Sequence, residues 1–141
     1  MNLASPTEYL ERLRRAVNDH DLDALAGCFA DDFRNETPAH PARDFVGAEQ
    51  VRQNWAQIFG GVPDIEATLV RHSSEGDTAW AEWEFAGTRR DGAKHVMRGV
   101  TVMGLRDERA QWARFYMEPV DPDTTTVGEH LHRTMATPSD G

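Results

Sequence analysis

Residues 47–71 read GAEQVRQNWAQIFGGVPDIEATLVR, and the spacing of the apolar residues changes within this stretch. In its first half Val51, Trp55 and Ile58 lie one helical turn apart, which is typical of an amphipathic helix. Gly60-Gly61-Val62-Pro63 ends that helix. After the proline, apolar and polar residues alternate, which predicts a β-strand. The stretch therefore joins a helical half of the chain to a half made of strands.

The chain on either side extends this division. Ser5 and Pro6 suit the start of a helix, and Asp21 suits the cap of a second one. Alternating segments separated by turns at 73–77, 89–92 and 107–109 follow the proline. The predicted elements are helices over 6–17, 22–26 and 47–59 and strands over 65–71, 78–88, 95–106 and 110–120.

Helices followed by successive strands predict an α+β fold, in which a curved antiparallel sheet wraps over three N-terminal helices. Such a cone-shaped sheet encloses a pocket. We assign residues 1–120 to a single domain, since no linker divides them. Residues 121–141 have little apolar content and are predicted to be a flexible C-terminal tail.

The charge of the chain argues against two classes of partner. Its 141 residues include 24 Asp and Glu against 15 Lys and Arg, a formal net charge of -9. An acidic surface repels the phosphates of nucleic acids and anionic membranes. We therefore expect no nucleic-acid partner and no membrane association.

Cysteine usage favours a reducing compartment. Cys28 is the only cysteine, so the chain has no internal disulfide. The residue follows an apolar helix, which indicates a buried, unreactive thiol. The N-terminus has no basic and then apolar layout of a secretion signal. We expect a cytoplasmic location.

The alternation of the strands predicts which side chains face the helices. If Thr101 points inward, Met97 and Met103 do so as well. An apolar small molecule is the expected partner of this inner surface; the alternative interpretation is that the same residues pack together as a core. The predicted pocket residues are Leu13, Phe29, Phe33, Trp55, Phe59, Trp83, Phe85, Met97, Phe115 and Met117.

The opposite face of the sheet carries charges and aromatic rings. Glu84 and Arg98 lie on neighbouring predicted strands, and Trp80, Trp112 and Tyr116 share their side. Cross-strand ion pairs with interleaved aromatic residues suit the interface of a homodimer. A solvated array of charged residues is the alternative interpretation.

Three segments together resemble a known superfamily. They are VNDHDLDALAGCFADDFRNETP at 17–38, GAEQVRQNWAQIF at 47–59 and ARFYMEPV at 113–120. With the predicted elements, they resemble the nuclear-transport-factor-2-like superfamily over residues 7–120, in the pattern of its SnoaL-like and ketosteroid-isomerase-like branches. The resemblance implies a cone-shaped SnoaL-like domain over 1–120 that needs no cofactor and dimerises through the outer sheet face. It does not determine one activity, because the fold hosts several.

The ketosteroid-isomerase pattern is not complete in this chain. Ungapped alignment puts Leu13 at the position of the family's oxyanion-binding tyrosine, Thr37 at its aspartate base and Thr101 at its strand acid. A threonine hydroxyl is no general base near neutral pH, and leucine donates no hydrogen bond. Steroid isomerisation by the family's mechanism is not expected.

Two other branches match only in part. The acid of SnoaL-like cyclases falls on Phe115, or on Tyr116 if the register slips by one residue. Epoxide hydrolases of this fold use an Arg-x-Asp motif, and here Arg98 lacks the Asp. Phe33-Arg34-Asn35 resembles their aromatic-x-Asn element, so the signature is incomplete.

The remaining candidates for catalysis are polar and uncharged. Asn35, Thr37 and Thr101 are placed at the pocket, where they would bind a water molecule or a carbonyl oxygen. The alternative interpretation is that each of them satisfies backbone groups of a turn. Glu36 is the nearest carboxylate, but alternation points it away from the pocket. His95 lies near the predicted mouth, where histidines are usually exposed.

No metal site is predicted, because His130 and His132 have no further ligand nearby. Two functions remain open. One is a cofactor-independent enzyme of the cyclase, isomerase, dehydratase or epoxide-hydrolase class that acts on an apolar metabolite such as a polyketide or terpenoid. The other is a ligand-binding or accessory protein without catalysis on the same fold.

Overall fold

The structure, a computed structural model, describes residues 5–136, which form four α-helices and six β-strands. The predicted α+β class and the three N-terminal helices are confirmed. The helices are α1 (Pro6–Asn18), α2 (Leu22–Ala26), α3 (Ala48–Gly61) and α4 (Val127–Met135). The strands are β1 (Phe29–Glu36), β2 (Phe45–Val46), β3 (Glu66–Glu75), β4 (Thr78–Thr88), β5 (Lys94–Arg106) and β6 (Arg109–Pro119).

The strands form one open, curved sheet in the order β2-β1-β6-β5-β4-β3. The predicted curved sheet is confirmed with one difference: it is mixed, because β1 runs parallel to β6 while the other neighbours are antiparallel. The sequence did not predict β1 or β2. Within β1 the inward Asn35 is polar, which conceals the usual alternation of apolar and polar residues.

The N-terminal helices begin where their capping residues predict. Ser5 Oγ accepts a hydrogen bond from the Glu8 amide at 3.1 Å, and Asp21 Oδ1 accepts one from the Ala24 amide at 3.0 Å. At the end of α1, the Asn18 side chain exchanges two hydrogen bonds with the backbone of Ala67. These bonds attach α1 to β3 and hold the helix across the concave side of the sheet.

The predicted turn at 73–77 is shorter in the structure. Ser73 and Ser74 pair with Trp80 and Ala79, so β3 continues to Glu75. Two small serines in a polar stretch resemble a turn in sequence, but the long hairpin supplies partners for their backbone groups.

The two faces of the central strands differ as alternation predicts. On β4, Ala79, Ala81, Trp83 and Phe85 are buried, whereas Trp80 is exposed. Val102 on β5 faces outward and is nevertheless buried, since its register neighbours Trp80 and Arg114 flank it. The apolar core therefore lies between the inner face and α1 to α3.

The segment after β6 contains a helix that the sequence analysis missed. Thr126 Oγ1 accepts a hydrogen bond from the Glu129 amide at 3.2 Å and donates one to the Glu129 carboxylate, so Thr126 caps the N-terminus of α4. The apolar side chains of α4 are exposed, so no burial supports the helix. The flexibility of 121–141 stays a prediction, and its last residues, 137–141, lie outside the described residues, as do residues 1–4.

Candidate active site

A cavity of about 760 Å³ lies between the inner face of the sheet and helices α1 and α3. Small-molecule sites in proteins usually measure ~300–1,000 Å³. Most of the wall is apolar, and β1, β4, β5 and β6 all contribute to it.

The structure brings nine of the ten predicted pocket residues to the wall of this cavity. Phe59 is the exception. Its ring stacks on His20 with a centroid distance of 4.4 Å and an interplanar angle of 9°, which fixes it beside the wall. Contact with a ligand stays a prediction for the other nine, which are Leu13, Phe29, Phe33, Trp55, Trp83, Phe85, Met97, Phe115 and Met117.

Asn35 and Thr37 lie together on the wall near the end of β1. Both side chains are buried, and Asn35 Nδ2 donates a hydrogen bond to Thr37 Oγ1 at 3.3 Å. The backbone amide of Thr37 donates to Asp44 Oδ1 at 2.7 Å. The aspartate therefore satisfies the backbone here, and the amide and hydroxyl groups of Asn35 and Thr37 remain at the cavity.

Thr101 lies on the middle of β5 and is also buried at the cavity wall. Its Oγ1 accepts a hydrogen bond from Trp83 Nε1 at 3.0 Å. A hydroxyl group has one proton to donate in addition to what it accepts. No acceptor for that proton occurs among residues 5–136, so Thr101 can donate to an oxygen in the cavity.

Carboxylates do not line the cavity within the described part of the chain. Leu13, Thr37 and Thr101, which align with the functional residues of ketosteroid isomerases, all lie on its wall. Glu36 is directed to the other side of β1, where its carboxylate lies 3.7 Å from the Arg114 guanidinium. The alignment thus leads to the correct surface, but that surface has no proton-transferring acid.

The mouth of the cavity is basic. Arg43, Arg89 and the half-buried His95 belong to its lining. Arg89 Nη2 donates to His95 Nδ1 at 3.4 Å, and a guanidinium group accepts no hydrogen bond, so the His95 proton lies on Nε2. Burial and, to a smaller extent, the Arg89 charge lower the pKa of His95. Both effects favour the neutral imidazole.

The sequence analysis did not select these three residues as site residues. His95 could have been found, since it precedes Met97 by two positions and therefore shares its face of β5. Arg43 and Arg89 belong to loops, for which no alternation applies. Only the tertiary fold brings both loops to the same cavity.

Other candidate centres are inactive or absent in the described residues. The Cys28 thiol is buried and donates to the Ala24 carbonyl oxygen, and burial raises its pKa. Among residues 5–136 no three His, Cys, Asp or Glu side chains form a group that could hold a metal ion. Within the same range no helix is long and apolar enough to cross a membrane.

Comparison of the sequence with family profiles matches residues 10–115 to the SnoaL-like domain family. Among curated proteins, no sequence matches significantly. The matched range includes α1 from Leu10 onward, the cavity wall up to Phe115 and both loops at the mouth.

Several solved structures have the same fold at low sequence identity. IdmH from Streptomyces antibioticus, described as a putative polyketide cyclase, is 20% identical with a TM-score of 0.71, over 82% of this chain and 93% of its own. An LEH-like epoxide hydrolase from M. tuberculosis is 18% identical with a TM-score of 0.69, over 80% and 82%. A putative SnoaL-like polyketide cyclase from Shewanella putrefaciens is 13% identical with a TM-score of 0.67, over 82% and 91%.

Proposed function

Because this chain belongs to the SnoaL-like domain family, and because its cavity is mostly apolar with a few uncharged polar groups, we propose that it is a cofactor-independent enzyme. Its substrate is an apolar metabolite of the polyketide or terpenoid kind, which it cyclises or isomerises. Dehydration and epoxide opening are the neighbouring reactions that the fold family would also support.

The observation that carries this proposal is the free hydroxyl proton of Thr101. Trp83 Nε1–H donates to the oxygen of that hydroxyl, and the hydroxyl proton stays available to a substrate oxygen. A fixed donor in a dry cavity stabilises negative charge that develops on a substrate oxygen. Thr101 therefore polarises a carbonyl or epoxide oxygen, and Asn35 and Thr37 hold the other end of the reacting group.

Catalysis without a carboxylate relies mainly on positioning. Holding a flexible substrate in a reactive conformation supplies up to about 7–11 kcal/mol of the barrier. Intramolecular cyclisation gains most from such confinement, because both reacting groups belong to one molecule. The aromatic rings Phe33, Trp83 and Phe85 limit the conformations that a substrate of this kind adopts in the cavity.

The experiment is an incubation of the purified protein with a panel of apolar polyketones and terpenoid epoxides, followed by mass spectrometry and NMR of the products. The wild type should convert at least one member, and Thr101→Val should slow that conversion by about 10- to 100-fold. Thr101→Ser keeps the hydroxyl and should restore most of the rate. Equal rates for wild type and Thr101→Val would contradict the role of this hydroxyl.

A ligand-binding protein without catalysis is the second candidate. It is favoured by the absence of Asp and Glu from the cavity lining among residues 5–136. Saturable binding of panel members without any product would support this candidate over the enzyme.

We also propose that two copies of the chain associate through the outer sheet face. Trp80, Trp112 and Tyr116 are 49%, 38% and 42% exposed there, beside the Arg98–Glu84 ion pair. Exposed aromatic residues with charges around them are typical of protein interfaces. Light scattering should give the mass of a dimer for the wild type and of a monomer for Trp80→Glu combined with Tyr116→Glu.

A cytoplasmic location completes the proposal. It is supported by the single buried thiol, Cys28, which needs no oxidising compartment. Fractionation of the producing cells should recover the protein with cytoplasmic markers.

A further inference from the structure

The charged residues around the cavity are all basic. Of the 24 acidic residues in the sequence none lines the cavity among residues 5–136, whereas two of the 15 Lys and Arg residues do. His95 adds a third nitrogen donor. A chain with a net charge of -9 therefore has a local excess of positive charge at one opening.

From this we propose that the ligand is an organic acid, with an apolar body in the cavity and one anionic group, such as a carboxylate, bound at the mouth by Arg43 and Arg89. This inference rests on the proposed function, because it names the chemical class of the molecule that the same cavity takes. It adds the requirement that the ligand has an anionic group, which the apolar wall alone does not impose.

The two arginines belong to loops at the same end of the sheet. His40 Nε2 lies 2.7 Å from Glu118 Oε1, which holds the loop between β1 and β2 beside the end of β6. In the register of the sheet, Met97 pairs with Pro119, and His95 pairs with Gly87. The hairpin between β4 and β5 therefore extends beyond this end as well, so both loops lie at the same end of the sheet.

Neither arginine is neutralised by a carboxylate within residues 5–136, whereas Arg98 and Arg114 on the outer face both form ion pairs. The acids nearest in sequence or contact are already engaged. Asp44 accepts from the Thr37 amide, Asp91 accepts from the Ala93 amide at 3.0 Å, and Asp64 accepts from the Thr88 amide at 2.6 Å. Both guanidinium groups are thus available to a ligand.

The donors suit an acid group in number and in kind. A guanidinium group binds a carboxylate through two parallel N–H···O bonds, and such charge-assisted bonds are stronger than neutral ones. His95 presents Nε2–H because Arg89 occupies Nδ1. Three donors without an acceptor favour an anion over a neutral amide or alcohol.

This arrangement also orients the ligand. With its acid group at the mouth, the apolar body extends along the wall past Met97 toward Thr101 on the same strand. The end that carries a reacting oxygen then meets the Thr101 hydroxyl. The mouth thereby selects which end of the substrate enters first.

The test compares an acid with its neutral ester on one apolar body. The probes are 1-pyrenebutyric acid and its methyl ester, titrated by fluorescence, and dodecanoic acid and its methyl ester as competitors. The wild type should bind each acid at least about tenfold more tightly than its ester, a difference of about 1.4 kcal/mol. In the double variant Arg43→Gln, Arg89→Gln the acids should bind as weakly as the esters, whose affinities should stay within about twofold.

Lys94→Gln is the matched control. It removes the same charge from the same hairpin at an exposed residue that does not line the cavity, and the preference for acids should survive it. Circular dichroism of each variant checks that it is folded.

Three outcomes would count against the inference. Equal affinity of acid and ester for the wild type overturns it and leaves the proposed function intact, since the cavity is still occupied. A preference that survives the double variant assigns it to other groups of the protein, and one that disappears with Lys94→Gln assigns it to charge outside the cavity. Either result overturns the role of Arg43 and Arg89. Failure of all four probes to bind the wild type overturns the apolar site itself and the proposed function with it.

Discussion

The two faces of the sheet use the same residue types for different purposes. On β4, Trp83 faces inward, is 2% exposed and donates to Thr101, whereas Trp80 faces outward and is 49% exposed. Glu84 and Arg98 pair on the outer face, while no carboxylate lines the cavity among residues 5–136, and the two charged residues of its lining, Arg43 and Arg89, belong to loops. The difference between the faces shows that the carboxylates of this sheet lie on its outer face. On the inner face, the groups that can donate a hydrogen bond are uncharged.

The largest expected difference between the faces is in stability. Trp83→Ala should lower the free energy of unfolding by about 3–5 kcal/mol, because it removes a buried indole and leaves a void. Trp80→Ala, three residues earlier on the same strand, should cost less than about 1 kcal/mol in the monomer. Urea denaturation followed by circular dichroism, at a concentration where the protein is monomeric, measures both.

Similar losses for the two tryptophans would break the comparison. They would mean that the outer face is as tightly packed as the inner one in a single copy of the chain. A loss of stability for Trp80→Ala that grows with protein concentration would instead sharpen the comparison. It would show that the indole of Trp80 lies in an interface between two copies of the chain.

A smaller effect is expected from the inner hydrogen bond. Thr101→Val leaves the buried Trp83 Nε1–H without its acceptor, which should cost about 1–3 kcal/mol. Thr101→Ser keeps the oxygen and should lose less. Val100→Thr makes the opposite change at the next, outward-facing position of β5 and should change stability by less than about 0.5 kcal/mol.

The same urea titrations test this second comparison. No loss of stability for Thr101→Val would show that the indole finds another acceptor in the cavity, such as water. The Thr101 hydroxyl would then not be held in one orientation.

The smallest effect is expected on the outer face. Arg98→Gln removes the pair with Glu84, whose atoms lie 2.7 Å apart on a partly exposed surface. Pairs of this kind contribute about 0.2–1 kcal/mol, and less at high salt. Thermal unfolding in low and high salt measures this, and a loss above about 2 kcal/mol would contradict a solvated pair.

Local patterns were sufficient for most of the strands. The prediction for 78–88 coincides with β4, and that for 95–106 begins one residue after β5 does. Burial alternates along these strands because successive side chains point to opposite faces. The alternation of burial is a property of each strand by itself, so it can be predicted from the sequence of that strand.

The first strand and the last helix were missed for different reasons. In β1 the inward positions include the polar Asn35, and its partner β6 lies far along the chain. Parallel pairing of distant segments has no local turn signal. The N-cap signal of α4 was present in the sequence as Thr126-x-x-Glu129. The segment was nevertheless predicted to be a flexible tail, because it has few apolar residues.

The candidate site divides in the same way. Asn35, Thr37 and Thr101 follow from alternation and from the family resemblance, and all three lie at the cavity. Arg43 and Arg89 do not follow from either, because a loop residue has no fixed direction until other elements pack around it.

The sequence by itself determined the α+β class, the main strands and the lack of the family's usual carboxylates, since these depend on residue identity and on short-range periodicity. Only the tertiary structure decided that β1 lies parallel to β6, that a cavity lies between the sheet and the helices, and that Arg43 and Arg89 from two distant loops line the same cavity as His95 of β5. The physical reason is that these features depend on which segments meet in space. No local spacing records such a meeting.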